Sequence, residues 1–401
     1  MNRQRLWSVL AVFLLATAIL SHQVQAGIDP PTGQKLLTDD EARDSSFGNS
    51  VSISGDTALI GADYEEHNSG SAYIFIRAAD GTWKQQAKLI AADRAHGDRF
   101  GRSVSISGDT ALIGAFLDED KGYHSGSAYV FVRAADGTWT QQAKLTAADG
   151  AIGDWFGVEV SISGDTALIG ADHDDDSKGA AYVFVRAADG TWKQQAKLTA
   201  ADGTAEDDFG HRVSISGDTA LVGTWRDNAA YIFVRAADGT WKEQAKLTAP
   251  NRHGSFGESV SISGDTVFVG APDDDDKGKG FGSAYVFVRA ADGTWSEQAK
   301  LTSAFKGKNV PFDPNYGFGD SVSISGDTVL IGVPRDNDKW AAGSHGSVCV
   351  FVRAADGTWK EQVKLTGPHG ANDFGKSVSI FGDMVVIGAS GEVYSYTIPN
   401  K

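Results

Sequence analysis

A single cysteine, Cys349, occurs in 401 residues, so no intramolecular disulfide can form in any compartment. It stands in SVCVFV where other copies of the phrase read SAYVFV, a strand pattern in which a buried structural thiol is expected. Positive charge is also scarce: 36 Lys and Arg face 52 Asp and Glu, for a formal charge of −16. That sign opposes phosphate backbones and anionic bilayers, and nucleic acid is not an expected partner. Beyond residue 20 there is no long hydrophobic run, and no stretch of distinct composition that would mark a linker. Missing too are a nucleophile elbow, a His-Glu-x-x-His helix and a phosphate-cradling loop, so the chain is not expected to be an enzyme.

The one apolar run, Leu6 to Leu20, follows Arg3 and Arg5 and precedes Val24-Gln25-Ala26. It is shorter than the roughly 18 residues or more of a spanning helix. Residues 1–26 therefore read as a secretory signal peptide, with a mature chain starting at Gly27 and a charge of −18 once Arg3 and Arg5 are removed. The expected location is outside the cytoplasm, secreted, periplasmic or at the cell surface, without membrane insertion after cleavage.

What the chain has in abundance is repetition. A Phe-Gly pair just before SVSIS or a close variant falls at Phe47, Phe100, Phe156, Phe209, Phe256, Phe318 and Phe374, spaced 53, 56, 53, 47, 62 and 56 residues apart. Such self-similarity marks an array of units that cannot bury their apolar faces alone. Within the first copy, four strands are expected at Ser50 to Ser54, Thr57 to Ala62, Ser71 to Arg77 and Thr82 to Ile90, joined in tight antiparallel fashion by Ser-Gly-Asp-Thr and Ala-Ala-Asp-Gly. The third strand is apolar on both sides, Tyr73 and Phe75 against Ala72, Ile74 and Ile76, and must be covered twice. In the fourth, Trp83, Gln85, Ala87 and Leu89 alternate with Lys84, Gln86 and Lys88, the pattern of a half-wet outer strand.

The sequence Gln34 to Thr38 resembles the QQAKLT that ends each full copy, and the seventh copy lacks its closing strand. The expectation is an all-β, seven-bladed β-propeller of four-stranded antiparallel blades, closed by the N-terminal strand and occupying residues 27–401. A linear β-solenoid fits less well, because its coils are about half this length.

Phe-Gly at the start of each unit, with Gly270-Ala271-Pro272 and its relatives Gly332-Val333-Pro334, Gly61-Ala62-Asp63 and Gly388-Ala389-Ser390, resembles the FG-GAP repeats of the integrin α N-terminal propeller. The resemblance implies the fold and not an activity. Integrin-type units often carry an Asp-x-Asp-x-Asp-Gly calcium loop between strands 1 and 2. Here that turn is Ser-Gly-Asp-Thr or Phe-Gly-Asp-Met, so the family's calcium does not carry over.

The turns between strands 1 and 2 and between 3 and 4 share one face of the ring and are nearly identical from copy to copy. The opposite face holds the 2–3 loops and the inter-blade connections, which vary. On it or beside it fall His67, His96, His124, His173, His211, His253, His345 and His369, with Phe116, Tyr123 and Phe312. Variation confined to one face of a rigid scaffold is how binding loops are deployed. Trp155, Trp225, Arg226, Trp340 and Tyr316 are the candidate ligand contacts, since Trp, Tyr and Arg usually anchor binding energy. Acidic runs occupy several of these loops. Asp172, Asp174 and Asp176, with Asp273 and Asp275, are candidate calcium ligands by spacing, although Ser177 stands where a calcium loop needs Gly and Val183 where it needs Glu. A solvated acidic loop without cofactor is the default.

The functional expectation is a monomeric binding module for an extracellular protein or glycan, working through the variable face. A hydrolase or lyase with its site at the channel mouth is the alternative, and a passive envelope-associated protein a third. Clustered histidines and carboxylates at the mouth would favour the enzyme, and a contiguous aromatic patch the binding module.

Overall fold

The computed structural model describes residues 33–39, 46–250, 254–275, 280–303, 316–336 and 346–398; the expected signal peptide over residues 1–26 falls outside them. Short strands form seven antiparallel sheets of four. In blade 1 they span Val51–Ser54, Thr57–Ala62, Ser71–Arg77 and Trp83–Leu89, within one residue of the sequence expectation. The first strands of the next six blades begin at Val104, Val160, Arg212, Ser259, Val322 and Ser377. The last sheet is completed by Gln34–Leu36, which pairs antiparallel with Glu392–Thr397, Gln34 opposite Ser395 and Leu36 opposite Val393. The ring is closed as expected. Among the described residues no helix is long and apolar enough to cross a membrane.

The core lies between blades. Tyr73 and Phe75 pack with Phe47 against blade 7, while Ala72 and Ile74 pack against Phe100, Val104 and Ile113 of blade 2. Equivalent clusters recur around the ring. In blades 1 to 5 the Phe of the Phe-Gly pair meets the Tyr and Phe of its own third strand edge-on or tilted, as Phe100 does with Tyr129 at 5.4 Å and Phe131 at 6.0 Å, whereas Phe318 meets Phe351 beside Cys349 and Phe374 meets Tyr394 and Tyr396. The glycines serve close approach: a Cβ on Gly61 would overlap the carbonyl oxygen of Gly101 in the next blade.

Serine hydroxyls stitch the first strands to one another. Val104, Ile106 and Gly108 donate their N–H groups to Ser50, Ser52 and Ser54 of blade 1 at 3.0–3.1 Å. The same bonds close the ring, from Val51 and Ile53 to Ser377 and Ser379. Otherwise the outward backbone groups of the innermost strands would be left unpaired at an inter-blade seam.

Strict alternation in the fourth strand does not hold. Gln85 pairs with Phe75 but Ala87 with Ile74, so Gln86 is an extra, bulged residue, and the same bulge occurs in the five following blades. The bulge moves Lys88 to the face of Tyr73 and leaves Ala87 and Leu89 on the face of Ile74 and Ala72. Bulged glutamines accept the indole N–H of the next blade's tryptophan, as Gln86 does from Trp139 at 2.9 Å. On the constant face, Arg133 donates to Asp109 of its own blade and to Thr57 of the preceding one, and lies 5.6 Å from the Trp139 ring. That face repeats because its residues bind one blade to the next.

Candidate ligand-binding face

The residue before each Phe-Gly pair is left-handed: φ is 58° at Ser46, 61° at Arg99, 58° at Trp155, 54° at Asp208, 53° at Ser255 and 54° at Asp373, with Gly317 at 74°. Six of these are not glycine, although the conformation costs about 1–2 kcal/mol for an L-residue. Strain kept in this way is a pointer to function. The positions flanking the fixed Phe-Gly pair, and those just after the second-strand Gly-Ala or its variants Gly223-Thr224 and Gly332-Val333, present differing side chains on the loop face.

Across blades 2 to 4 these positions build one continuous cluster. Asp172 is buried, and its two carboxylate oxygens lie 3.0 Å from His173 Nδ1 and 2.8 Å from His211 Nδ1. Burial disfavours the Asp172 carboxylate, but the two histidines outweigh it and hold its pKa at about 2. The hydrogen bond to Asp172 raises the pKa of His173, whereas burial, reinforced by Arg212, lowers that of His211 to about 4. With Nδ1 of a neutral imidazole donating to the carboxylate, Nε2 is the acceptor nitrogen. Trp155 lies tilted by 32° over His173 with centroids 3.7 Å apart, and Phe116 meets Trp155 at 5.5 Å. Trp225, 45% exposed, stacks on His211 at 5.3 Å. Arg226 lies 5.6 Å from the Trp225 ring and places Nε 3.1 Å from Asp208.

Beside this cluster opens a cavity of about 260 Å³ at the channel mouth, whose charged lining is Arg102, Glu159, Arg212, Asp320 and Lys376, each one or two residues after a Phe-Gly pair. The first residue after the pair is Asn49, Arg102, Val158, His211, Glu258, Asp320 or Lys376, different in every blade. The second is serine in five blades but Glu159 and Arg212 in blades 3 and 4. Burial raises the pKa of Glu159, of Asp320 and of Glu258, the last to about 6 with help from Asp320, and it lowers that of Lys376.

The acidic loops turn out to hold a repeated internal contact. Tyr129 donates to Asp93 at 3.0 Å and to Asp118 at 2.8 Å, while Lys144 bridges Asp93, Asp118 and Asp120. Asp174 accepts from Tyr182 and, at 2.8 Å, from Lys197; Asp274 accepts from Tyr285 at 2.6 Å and lies 2.7 Å from Lys300. The bulge in the fourth strand is what brings each lysine over its tyrosine. Asp172 and Asp174 are therefore buried with separate partner sets, and Asp176 is exposed, so the alternate spacing does not bring three carboxylates together. Asp273 is exposed and accepts from the Ser255 hydroxyl at 2.6 Å, and Asp275 is exposed. Among the described residues three carboxylates converge only at Asp93, Asp118 and Asp120, where the Lys144 ammonium already stands.

Of the expected ligand contacts, Trp155, Trp225 and Arg226 come together. Tyr316 is half-buried two blades away, 5.9 Å from Phe281, and Trp340 lies outside the described residues. Sequence reasoning missed Arg102, Glu159, Arg212, Glu258, Asp320 and Lys376. Lining up the seven copies at the Phe-Gly pair would have shown them, because the two following columns change where their neighbours do not.

The fold and this face define a seven-bladed propeller with one variable, charged and aromatic end. The FG-GAP repeat family matches at residues 32–75, 83–131, 139–184, 192–233, 241–287, 295–351 and 359–394, and the chain belongs to it. Among curated proteins none is similar in sequence. Similar solved structures include virginiamycin B lyase from Staphylococcus aureus with quinupristin, at 9% identity and TM-score 0.56 over 92% of this chain and 99% of that one. The periplasmic gluconolactonase of Pseudomonas aeruginosa is similar at 14% identity and TM-score 0.54, over 88% of this chain and 89% of its own. A putative 6-phosphogluconolactonase from Bacteroides fragilis is similar at 12% and 0.53, over 82% and 86%. At these identities the likeness is one of fold.

Proposed function

We propose that the protein is an exported binding module that captures an extracellular protein or glycan on its loop face. The observation that carries this reading is the cluster of Trp155, Trp225 and Arg226 around the buried Asp172. Two indoles are held against histidine rings, one tilted and one stacked, the stacked one nearly half exposed beside a guanidinium. Rigid aromatic side chains offer large contact area at small entropic cost, and Trp and Arg are the usual anchors of binding energy. The test is retention of glycans on an array and of extracellular proteins in a pull-down by wild type and by Trp155→Ala/Trp225→Ala. Ligands captured by the wild type should be lost by the variant at unchanged melting temperature, and undiminished capture by the variant overturns the reading.

A second reading, hydrolase or lyase chemistry at the channel mouth, is favoured by one feature. Asp172 orients two imidazoles as a carboxylate orients a general base. Turnover of a lactone and glycoside panel that disappears in His211→Ala and His173→Ala would support it.

A further inference from the structure

Two of the seven seams between first strands are built differently. In five blades the second residue after the Phe-Gly pair is serine, and Ser50, Ser103 and Ser377 each accept an N–H from the next blade. Blades 3 and 4 put Glu159 and Arg212 there, giving up a hydroxyl that the lattice uses elsewhere in order to place charge in the channel. These two partly satisfy each other at 3.8 Å.

The other charges of the mouth are not paired across it. Lys376 of blade 7 and Arg102 of blade 2 have no carboxylate within 4.0 Å among the described residues, and Glu258 of blade 5 no cation; Asp320 of blade 6 has only the half-exposed Arg335 at 4.0 Å. Asp63 and Asp373 moderate the cationic side, and Arg212 and Arg335 the anionic side, at longer range. Half-buried charges without contact partners are costly to maintain. Here they are sorted by blade: Lys376 of blade 7 and Arg102 of blade 2 line a space of about 260 Å³ with Asp320 of blade 6, and Glu258 of blade 5, outside that lining, lies near enough to Asp320 to interact with it.

We propose that the channel mouth is a binding site for a small zwitterion of the amino-acid or short-peptide kind, its ammonium held by Glu258 and Asp320 and its carboxylate by Lys376 and Arg102. The volume lies just below the range of about 300–1,000 Å³ usual for ligand pockets, which suits a compact polar molecule. A simple anion or cation would answer only one side. Charge-assisted hydrogen bonds at both ends, in a recess partly shielded from water, give the selectivity. The site is separate from the aromatic cluster and does not depend on what that cluster binds.

The probes are glycylglycine and triglycine, each free, N-acetylated and C-amidated, titrated calorimetrically into the mature chain at low salt. At least one free peptide should bind about tenfold or more tighter than either capped form. Glu258→Gln/Asp320→Asn should reduce the free peptide to the level of its N-acetyl form, and Lys376→Met to that of its amide. Trp155→Ala/Trp225→Ala should leave these titrations unchanged, which separates the site from the glycan or protein surface. No heat from any peptide, or equal binding of free and capped forms by the wild type, overturns the proposal whether or not the channel variants fold.

Discussion

Replacing Leu36 by Ala tests whether the N-terminal strand carries the closure of the ring. Leu36 is 2% exposed and packs with Met384, Val386 and Val393 of blade 7 and with Phe47 of blade 1. Its neighbour Leu37 is 65% exposed. Truncating a buried leucine costs about 2–5 kcal/mol, the larger values arising where the cavity cannot collapse. Unfolding entropy is about 2.1 cal/mol/K per residue, or roughly 0.8 kcal/mol/K over a unit the size of residues 31–401. Leu36→Ala should therefore lower Tm by roughly 3–6 °C, against about 1 °C or less for Leu37→Ala. Differential scanning calorimetry reads both, and hydrogen exchange over Glu392–Thr397 reports whether the outer edge of blade 7 has opened. Equal melting temperatures for the two variants, with unchanged exchange over that segment, would refute the idea that this strand holds the ring shut.

Acid should probe the Asp172 cluster. His211 stays neutral in the fold down to about pH 4, whereas an unfolded histidine takes up its proton near 6.5. Stability should therefore fall as the pH drops through that window. His173, raised by its hydrogen bond to Asp172, acts in the opposite sense, its contribution present at low pH and lost as the pH rises through its folded value. The Asp172 contribution is held above its unfolded pKa and lost only on approach to about 2. In His211→Asn the slope of Tm against pH between 4 and 6.5 should flatten; a slope identical to wild type counts against the assignment. Lys144→Gln should turn the Asp93, Asp118 and Asp120 site from one filled by its own ammonium into one that calcium can enter. Millimolar calcium should raise Tm in this variant more than in wild type, and an equal response would show that the lysine is not what occupies the site.

The blades were legible in the sequence because the unit is written seven times, with one alternating first strand, two apolar strands and tight turn signals between them in each copy. The fourth strand misled at Gln86: a bulge adds one residue and swaps faces without leaving a mark in hydropathy. The acidic loops misled for a related reason. Asp174 and Asp118 look like spare carboxylates in one dimension, and only the bulge shows that a lysine 23 or 26 residues further on is laid across them. Trp155, Trp225 and Arg226 stood out because they fall outside the repeated words. The channel-mouth residues did not, because Arg102 or Lys376 beside a Phe-Gly pair reads as an ordinary surface charge until the ring gathers the seven positions around one axis.

The glycine contact between neighbouring blades bears on how such a protein can change over generations. Gly61 and Gly101 touch backbone to backbone, as do Gly388 and Gly48 at the closing seam, and neither contact involves a side chain. A duplicated blade copy inherits the frame intact whatever its flanking letters. The loop face is in that sense a set of variable letters on a constant frame, yet the segments around Phe156 and Asp172 would not carry their whole surface into another blade, because the cluster also takes Phe116 from blade 2 and His211 and Trp225 from blade 4.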